Sequence, residues 1–162
     1  MAEIHLHLLR HAHAGDPAKW DRPDDERPLS ARGVRQVEAL AQLLSRGGFA
    51  SDAIVSSPKL RAEQTARLLG EALGVEVRLD DRLAAGFELE DLIAMLDDLG
   101  RPSNPVLVGH DPDFSELLGE LVGTPLILRK GAFARIDLET PIEAGGGLLR
   151  WLIPPDVLAP KG

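Results

Sequence analysis

Three short segments of the chain carry side chains that can bind and transfer a phosphoryl group. Arg10 and His11 follow one apolar segment, Arg61 follows the segment Ser56-Ser57-Pro58, and His110 follows a third apolar segment. Arginine binds phosphate oxygens through two parallel N–H donors and stays charged at any physiological pH. Histidine can act as a nucleophile or as a proton carrier near neutral pH. Together, these four side chains would form a phosphate pocket.

Each of these segments follows a predicted strand. Short apolar runs predict strands over residues 4–9, 52–56 and 105–108. In open α/β sheets, ligands bind outside the carboxyl ends of the strands, so the four side chains should meet at one edge of the sheet. Predicted helices that begin after Ser57 and Asp111 would direct backbone N–H groups at the same anion.

The remaining pattern places these strands in an α/β fold. Helical spacing of apolar residues predicts helices over 30–46 (with Ser30 as N-cap), 57–73, 89–99 and 114–121. Further strands are predicted over 75–79, 125–128, 132–138 and 148–153. Because strands alternate with helices and the last strands follow short turns, we expect a mixed sheet with at least one antiparallel strand. The polar segment 16–28 should be an exposed loop.

Length and composition limit what the protein can be. A chain of 162 residues fits a single domain, which we assign to residues 1–162, and it is too short for a (β/α)₈ barrel. The absence of cysteine excludes disulfides and thiol catalysis. No apolar run approaches the roughly 20 residues of a membrane span. The first residues do not resemble a secretion signal. We therefore expect a cytoplasmic protein.

The charge balance restricts the partners. The net charge is −8, from 18 lysines and arginines against 26 aspartates and glutamates. Such a surface repels nucleic acid and anionic membranes, and no run of basic residues offers a local exception. We expect neither as a partner. We expect a monomer that binds a phosphorylated substrate, either a protein or a small molecule, through a few cations gathered in one pocket.

Four motifs in order carry a family resemblance. They are Leu9-Arg10-His11-Ala12, the segment 27–33, the segment 56–66, and Val108-Gly109-His110. The chain resembles the histidine phosphatase superfamily, whose Arg-His-Gly motif it matches with Ala12 in the glycine position. The Arg27-Pro28-Leu29 context and the short loops look most like the SixA-type phosphohistidine phosphatases. This resemblance implies a phosphoglycerate mutase-like, three-layer α/β/α sandwich with a mostly parallel sheet and one reversed strand.

The resemblance also implies roles for the matching residues. His11 would attack phosphorus and become transiently phosphorylated, and His110 would complete the pocket and stabilise the transferring group. Arg10 and Arg61 would hold the phosphoryl oxygens. No metal or other cofactor is required, because positioning and charge neutralisation provide most of the catalysis of phosphoryl transfer. Protein phosphohistidine is the substrate that the resemblance favours.

One departure from the family pattern bears on the substrate. Many relatives carry a catalytic glutamate just after an Arg-Leu pair, whereas here the segment 82–86 reads Arg-Leu-Ala-Ala-Gly. Glu88 or Glu90 could take its place, and we predict that Glu88 and His13 lie at the rim of the pocket. A phosphoramidate nitrogen is protonated by solvent more readily than an alkoxide, so the missing acid favours phosphohistidine over a sugar phosphate.

Three alternatives remain open at this point. The same chemistry could act on a small phosphorylated metabolite or nucleotide. A phosphate- or phosphoprotein-binding module without turnover would keep the pocket but not need a nucleophile. A metal-dependent hydrolase could use the pairs His5/His7 and His11/His13 as ligands, although no further ligand cluster beyond His110-Asp111 completes a metal site. For His5 and His7 we expect structural roles.

Overall fold

Six strands form one sheet in the computed structural model, which describes residues 3–159. The strands are β1 Glu3–Arg10, β2 Ala53–Ser56, β3 Val77–Leu79, β4 Pro105–Gly109, β5 Phe133–Glu139 and β6 Leu148–Ile153. Their order in the sheet is β3-β2-β4-β1-β5-β6. The helices are α1 Ala31–Arg46, α2 Leu60–Leu73, α3 Leu89–Asp98, α4 Asp113–Val122 and α5 Pro155–Leu158. The ends of the assigned domain, residues 1–2 and 160–162, lie outside the described residues.

The sheet is mixed, with a single reversed strand among the described residues. Strands β3, β2, β4 and β1 run parallel to one another, β5 is antiparallel to β1, and β6 is antiparallel to β5. This arrangement confirms the predicted α/β fold and the single reversed strand that the family resemblance implies.

Apolar side chains cover both faces of the sheet and form two separate clusters. Alternate residues of β1 enter the two clusters, because successive side chains of a strand point to opposite faces. Leu6 and Leu8 pack in the cluster under α3 and α4, whereas Leu9 packs in the cluster under α1 and α2. Each fully buried leucine contributes about 1.5–3 kcal/mol to folding. The molecule is therefore a three-layer α/β/α sandwich.

One predicted strand is wrong, and one predicted helix begins later than expected. The segment 125–128 is not a strand. Its last residue uses its backbone for side-chain contacts instead: the Leu128 N–H donates to Ser115 Oγ, and its carbonyl oxygen accepts from Arg10. The second helix begins at Leu60 rather than after Ser57. The Ser57 N–H donates to the carbonyl oxygen of Val108, so this residue continues the pairing of β2 with β4.

The register of the sheet brings three strand ends to one edge. Arg10 of β1 pairs with Gly109 of β4, and Ser56 of β2 pairs with Val108 of β4. The residues that follow these ends in the chain, among them His11, therefore leave the sheet side by side. None of the helices between residues 3 and 159 has both the length and the hydropathy needed to cross a membrane.

Candidate active site

The structure brings together the four side chains that the sequence singles out. The rings of His11 and His110 lie with their centroids 5.2 Å apart and tilted by 53°. Both histidines and Arg61 are buried, with 5%, 7% and 6% of their surface exposed, and Arg10 is half-buried. Buried charged residues are rare without partners or function, so this cluster is the strongest candidate for an active site.

His11 is held as a neutral imidazole in one tautomer. Its Nδ1 lies 2.8 Å from the carbonyl oxygen of Ala12, which can only accept, so Nδ1 carries the proton and Nε2 keeps its lone pair. Burial lowers the pKa of His11 to about 3, helped by the positive charges of Arg61, Arg10 and Lys130 and opposed by the Ala12 hydrogen bond. At neutral pH the side chain is therefore an uncharged nucleophile.

His110 is also neutral. Burial lowers its pKa to about 3, and repulsion from a protonated His11 and from the charges of Arg61, Lys59 and Arg10 acts in the same direction. Its Nε2 lies 2.7 Å from Ser57 Oγ, the hydroxyl that also accepts the N–H of Lys59 at 3.2 Å. Ser57 therefore joins the end of β2 to the histidine that follows β4.

Both arginines are held by the protein at the terminal edge of the guanidinium, Arg10 through one nitrogen and Arg61 through two. Arg10 donates from Nη1 to the carbonyl oxygen of Leu128 at 3.1 Å and to Asp111 Oδ2 at 3.4 Å. Arg61 donates from Nη1 to the carbonyl oxygen of Asp24 at 2.9 Å and from Nη2 to Asp24 Oδ2 at 3.0 Å. These contacts leave the Nε–H of each arginine uncommitted.

Unpartnered buried polar atoms concentrate at this site. Within residues 3–159, four buried side-chain nitrogens lack a hydrogen-bond partner, and three of them are Arg10 Nε, Arg61 Nε and His110 Nδ1. The fourth is Trp151 Nε1. A buried donor without a partner costs about 1–3 kcal/mol. The two guanidinium N–H groups beside His11 are buried and have no partner, so they are suited to bind an anion with several acceptor oxygens, such as phosphate.

Lys130 belongs to the same cluster, and sequence reasoning missed it. The N–H of Gly131 donates to the carbonyl oxygens of Arg10 and His11, both at 3.0 Å, so this turn packs against the end of β1. Burial and the charges of Arg10, Arg27 and Arg61 lower the pKa of Lys130. Within residues 3–159, no carboxylate lies within salt-bridge distance of its ammonium group. The sequence offered only a weak signal, a basic residue in a turn before a strand.

His13 ties the segment after β1 to the start of α1. Its Nδ1 lies 2.6 Å from Ser30 Oγ, and its N–H donates to Gln36 Oε1 at 3.0 Å. A Cβ on Gly33 would overlap the carbonyl oxygen of His13, so glycine permits this close approach. The structure therefore places His13 against the N-terminus of α1. Its position at the rim of the pocket stays a prediction.

Glu88 lies at the N-terminus of α3. It is the N-cap of that helix and is exposed, and its N–H donates to Asp91 Oδ2 at 2.9 Å. Among the described residues it has no hydrogen bond or ion pair with any of the four central side chains. The structure thus gives Glu88 a capping position, and a role at the rim stays a prediction.

The paired histidines of β1 have separate structural contacts. His7 is buried, its Nδ1 lies 3.1 Å from the carbonyl oxygen of Pro105, and its ring stacks on Phe133 at 5.3 Å. His5 Nδ1 lies 2.9 Å from Asp137 Oδ1. Within residues 3–159, one group of side chains, Glu3, His5 and Asp137, resembles a metal site. The guanidinium of Arg135 already contacts this group, because its Nη2 lies 2.9 Å from the same nitrogen of His5.

Comparison with known proteins identifies the family. Residues 6–85 match the family model of the histidine phosphatase superfamily (branch 1). A protein of Picosynechococcus sp., described as uncharacterized, is 35% identical over 116 residues, which are 70% of each chain. The phosphohistidine phosphatase SixA of Escherichia coli is 26% identical over 158 residues, which are 94% of each chain.

A solved structure shows the same fold. The protein histidine phosphatase SixA complexed with tungstate superposes with a TM-score of 0.83 at 24% identity, over 96% of this chain and 99% of that one. The shared fold, the motifs at three strand ends and the matching family model all point to the same family. This chain belongs to the histidine phosphatase superfamily.

Proposed function

We propose that the protein is a metal-independent phosphatase that removes the phosphoryl group from phosphohistidine in proteins, through a phosphorylated His11. One observation carries the proposal: the ring of a neutral His11 lies 5.2 Å from that of His110, centroid to centroid, and the charges of two arginines whose buried Nε–H groups have no partner act on it. Similarity to the phosphohistidine phosphatase SixA over 94% of each chain supports the substrate class.

In the first step, the substrate loses its phosphoryl group to His11. The lone pair of His11 Nε2 attacks phosphorus while the bond from phosphorus to the substrate nitrogen breaks. Arg10 and Arg61 bind the non-bridging oxygens and neutralise their charge, and His110 contacts the group in transfer. Such preorganised charge commonly accounts for most of the acceleration of phosphoryl transfer.

In the second step, water releases the phosphoryl group. A water oxygen attacks phosphorus while the bond from phosphorus to His11 Nε2 breaks. One proton of the water stays on the attacking oxygen, the other passes to bulk water, and inorganic phosphate leaves as HPO₄²⁻. The nitrogen regains its lone pair, and the depressed pKa of His11, about 3, keeps it unprotonated for the next cycle. Two guanidiniums and the ammonium of Lys130 supply the positive charge that a metal ion supplies in other phosphatases.

The segment after Leu83 supports an easily protonated leaving group. Ala84 and Ala85 carry no acid, and the N–H groups of Gly86 and Phe87 donate to Asp113 Oδ2 at 2.8 and 3.2 Å. These bonds fix the segment to the start of α4. A phosphorylated imidazole nitrogen can take its proton from water, whereas an alkoxide needs a positioned acid. The local structure therefore favours phosphohistidine over a sugar phosphate.

A trapping experiment tests the proposal. The protein is mixed briefly with a ³²P-labelled phosphohistidine peptide in EDTA, quenched in alkali, and analysed for label on His11. We expect label on the wild-type chain and none on His11→Ala. A substrate panel of phosphohistidine peptide, nucleoside phosphates and sugar phosphates then measures kcat/KM for each class.

Each alternative predicts a different result in these two assays. Binding of the peptide without label or turnover would identify a binding module. Equal or faster turnover of a nucleotide or sugar phosphate would identify a small-molecule phosphatase. Loss of activity in EDTA, restored by a divalent metal, would contradict metal independence. Cytoplasmic location and a monomeric state stay predictions from composition.

A further inference from the structure

We propose that Asp24 is a positioning residue for phosphate binding: it holds the terminal edge of the Arg61 guanidinium and so presents the opposite edge to the substrate. This inference rests on the proposed function of Arg61 as a phosphate ligand. Asp24 lies in a 3₁₀ turn, Asp24–Glu26, within the segment that the sequence predicts as an exposed loop. Its side chain is 54% exposed, whereas that of Arg61 is 7% exposed.

The covalent geometry of arginine separates the two edges. The terminal edge consists of Nη1 and Nη2, and the side edge consists of Nε and the second hydrogen of Nη2. Asp24 takes the terminal edge twice, through its carbonyl oxygen at 2.9 Å from Nη1 and through Oδ2 at 3.0 Å from Nη2. The Nε of the side edge is buried without a partner. Asp24 and a phosphate therefore bind different edges of the guanidinium and do not compete.

A second arginine anchors Asp24 itself. Arg27 is buried and donates from Nε to Asp24 Oδ1 at 3.2 Å and from Nη1 to the carbonyl oxygen of Ala14 at 3.0 Å. Burial alone would raise the pKa of Asp24, but the hydrogen bonds and charges of Arg27 and Arg61 outweigh it and lower the pKa. The carboxylate is thus charged and fixed at pH 7.

Positioning, rather than bulk stability, is the expected contribution of this contact. An ion pair with an exposed partner contributes little to folding because water screens it. Misplacing a catalytic group by about 1 Å can nevertheless lower a rate roughly 100-fold. Arg10 shows the same arrangement, with Nη1 held by protein oxygens and a buried Nε without a partner. Both arginines of the site therefore combine an uncommitted Nε with protein contacts at the terminal edge, through Nη1 alone in Arg10 and through Nη1 and Nη2 in Arg61.

The test compares substitutions at Asp24 with one at a neighbouring acid. Asp24→Asn removes the charge but keeps the shape, Asp24→Ala removes both oxygens of the carboxylate, and Asp24→Glu keeps the charge. Asp21→Asn, at an exposed position of the same loop, is the matched control. Calorimetry gives the affinity for inorganic phosphate and for vanadate, which mimics the five-coordinate phosphorus of the transition state. Steady-state assays give kcat and KM, and thermal unfolding checks each variant.

Positioning predicts a specific pattern. Asp24→Ala and Asp24→Asn should lower kcat roughly 10- to 100-fold with a smaller change in KM, and vanadate affinity should fall more than phosphate affinity. Asp24→Glu should recover part of the loss, and Asp21→Asn should match the wild type. Tighter phosphate binding or faster turnover in Asp24→Asn would overturn the proposal, because it would mean that the carboxylate competes with substrate.

Unchanged kcat and vanadate affinity in both Asp24→Asn and Asp24→Ala would also overturn it. Vanadate binding requires no turnover, so the affinity part of this result is independent of which substrate the enzyme prefers. Failure of the proposed function would instead appear in the wild type, as the absence of label on His11. The two failures are therefore distinguishable.

Discussion

The Nδ1–H of His11 donates to the carbonyl oxygen of the next residue, Ala12, at 2.8 Å. This contact spans one peptide unit and fixes the tautomer without any other side chain. It leaves Nε2 as the nitrogen with a lone pair, and within residues 3–159 no group donates a hydrogen bond to it. The backbone itself therefore prepares the proposed nucleophile.

Neither histidine of the site should titrate near neutral pH. Burial, the largest effect in each case, lowers the pKa of His11 and of His110 to about 3, so both should stay neutral from pH 8 down to pH 5. Ring-proton NMR over that range checks this, because the chain has five histidines and single His→Gln variants assign the signals. Movement of either signal with a midpoint near 6.5 would contradict the prediction.

The same buried histidines should make stability depend on pH. The pKa of His7 is lowered to about 4 and those of His11 and His110 to about 3, mainly by burial. The unfolded chain binds these protons near pH 6.5, so it binds more protons than the folded chain between about pH 3 and 6.5. The free energy of unfolding should fall as the pH falls through that window.

The size of this effect can be measured by urea unfolding at several pH values. One such histidine accounts for a loss of about 2 kcal/mol between pH 7 and pH 5. His110→Gln should reduce the slope of the free energy of unfolding against pH by the contribution of one proton, whatever its effect on stability at pH 7. A slope that is the same in the variant and the wild type would exclude His110 as a contributor.

Motifs at strand ends made the central site predictable. Arg10 ends β1, His11 and His110 directly follow β1 and β4, and Arg61 lies in the first turn of α2. Parallel pairing of β1 and β2 with β4 necessarily brings those ends together. Local sequence is sufficient here because the strand directions follow from the alternation of strands and helices. The helices 30–46 and 89–99 were likewise predicted to within one residue.

Contacts between distant segments were not predictable. Lys130 reaches the site because β5 pairs antiparallel with β1, and Asp24 reaches Arg61 because an irregular loop folds over the start of α2. Neither residue stands in a motif. The incorrect prediction of a strand at 125–128 also results from contacts between distant segments. An apolar run does not reveal that Arg10 and Ser115 bind the backbone of Leu128.

Arg61 should be required as an arginine and not only as a cation. Arg61→Ala should lower kcat/KM roughly 100-fold or more, as expected for the loss of a charged contact in the transition state. Arg61→Lys should recover little, because a single ammonium cannot supply the paired N–H donors of the side edge. Steady-state kinetics with the phosphohistidine peptide measure both variants.

A matched control lies on the same helix. Arg67 is exposed and pairs with Glu63 at 2.8 Å, so Arg67→Ala should keep wild-type kinetics. If Arg61→Lys kept full activity, the argument that Arg61 binds phosphate through two parallel donors would be wrong. If Arg67→Ala lost activity as well, the loss in Arg61→Ala would reflect removal of any positive charge from this helix rather than a specific role of Arg61.

Lys130 should strengthen anion binding through its charge. It lies beside Arg10, Arg27 and Arg61 and, within residues 3–159, has no carboxylate partner, so an incoming phosphate would relieve the repulsion between these cations. Lys130→Gln should weaken the binding of inorganic phosphate roughly 10-fold, and Lys130→Arg should retain most of it. The neighbouring exposed Arg129 provides the control, since Arg129→Gln removes the same charge one residue away.

Calorimetry at two salt concentrations measures phosphate binding by all three variants. An equal loss of affinity in Lys130→Gln and Arg129→Gln would show that only the general charge of the turn matters.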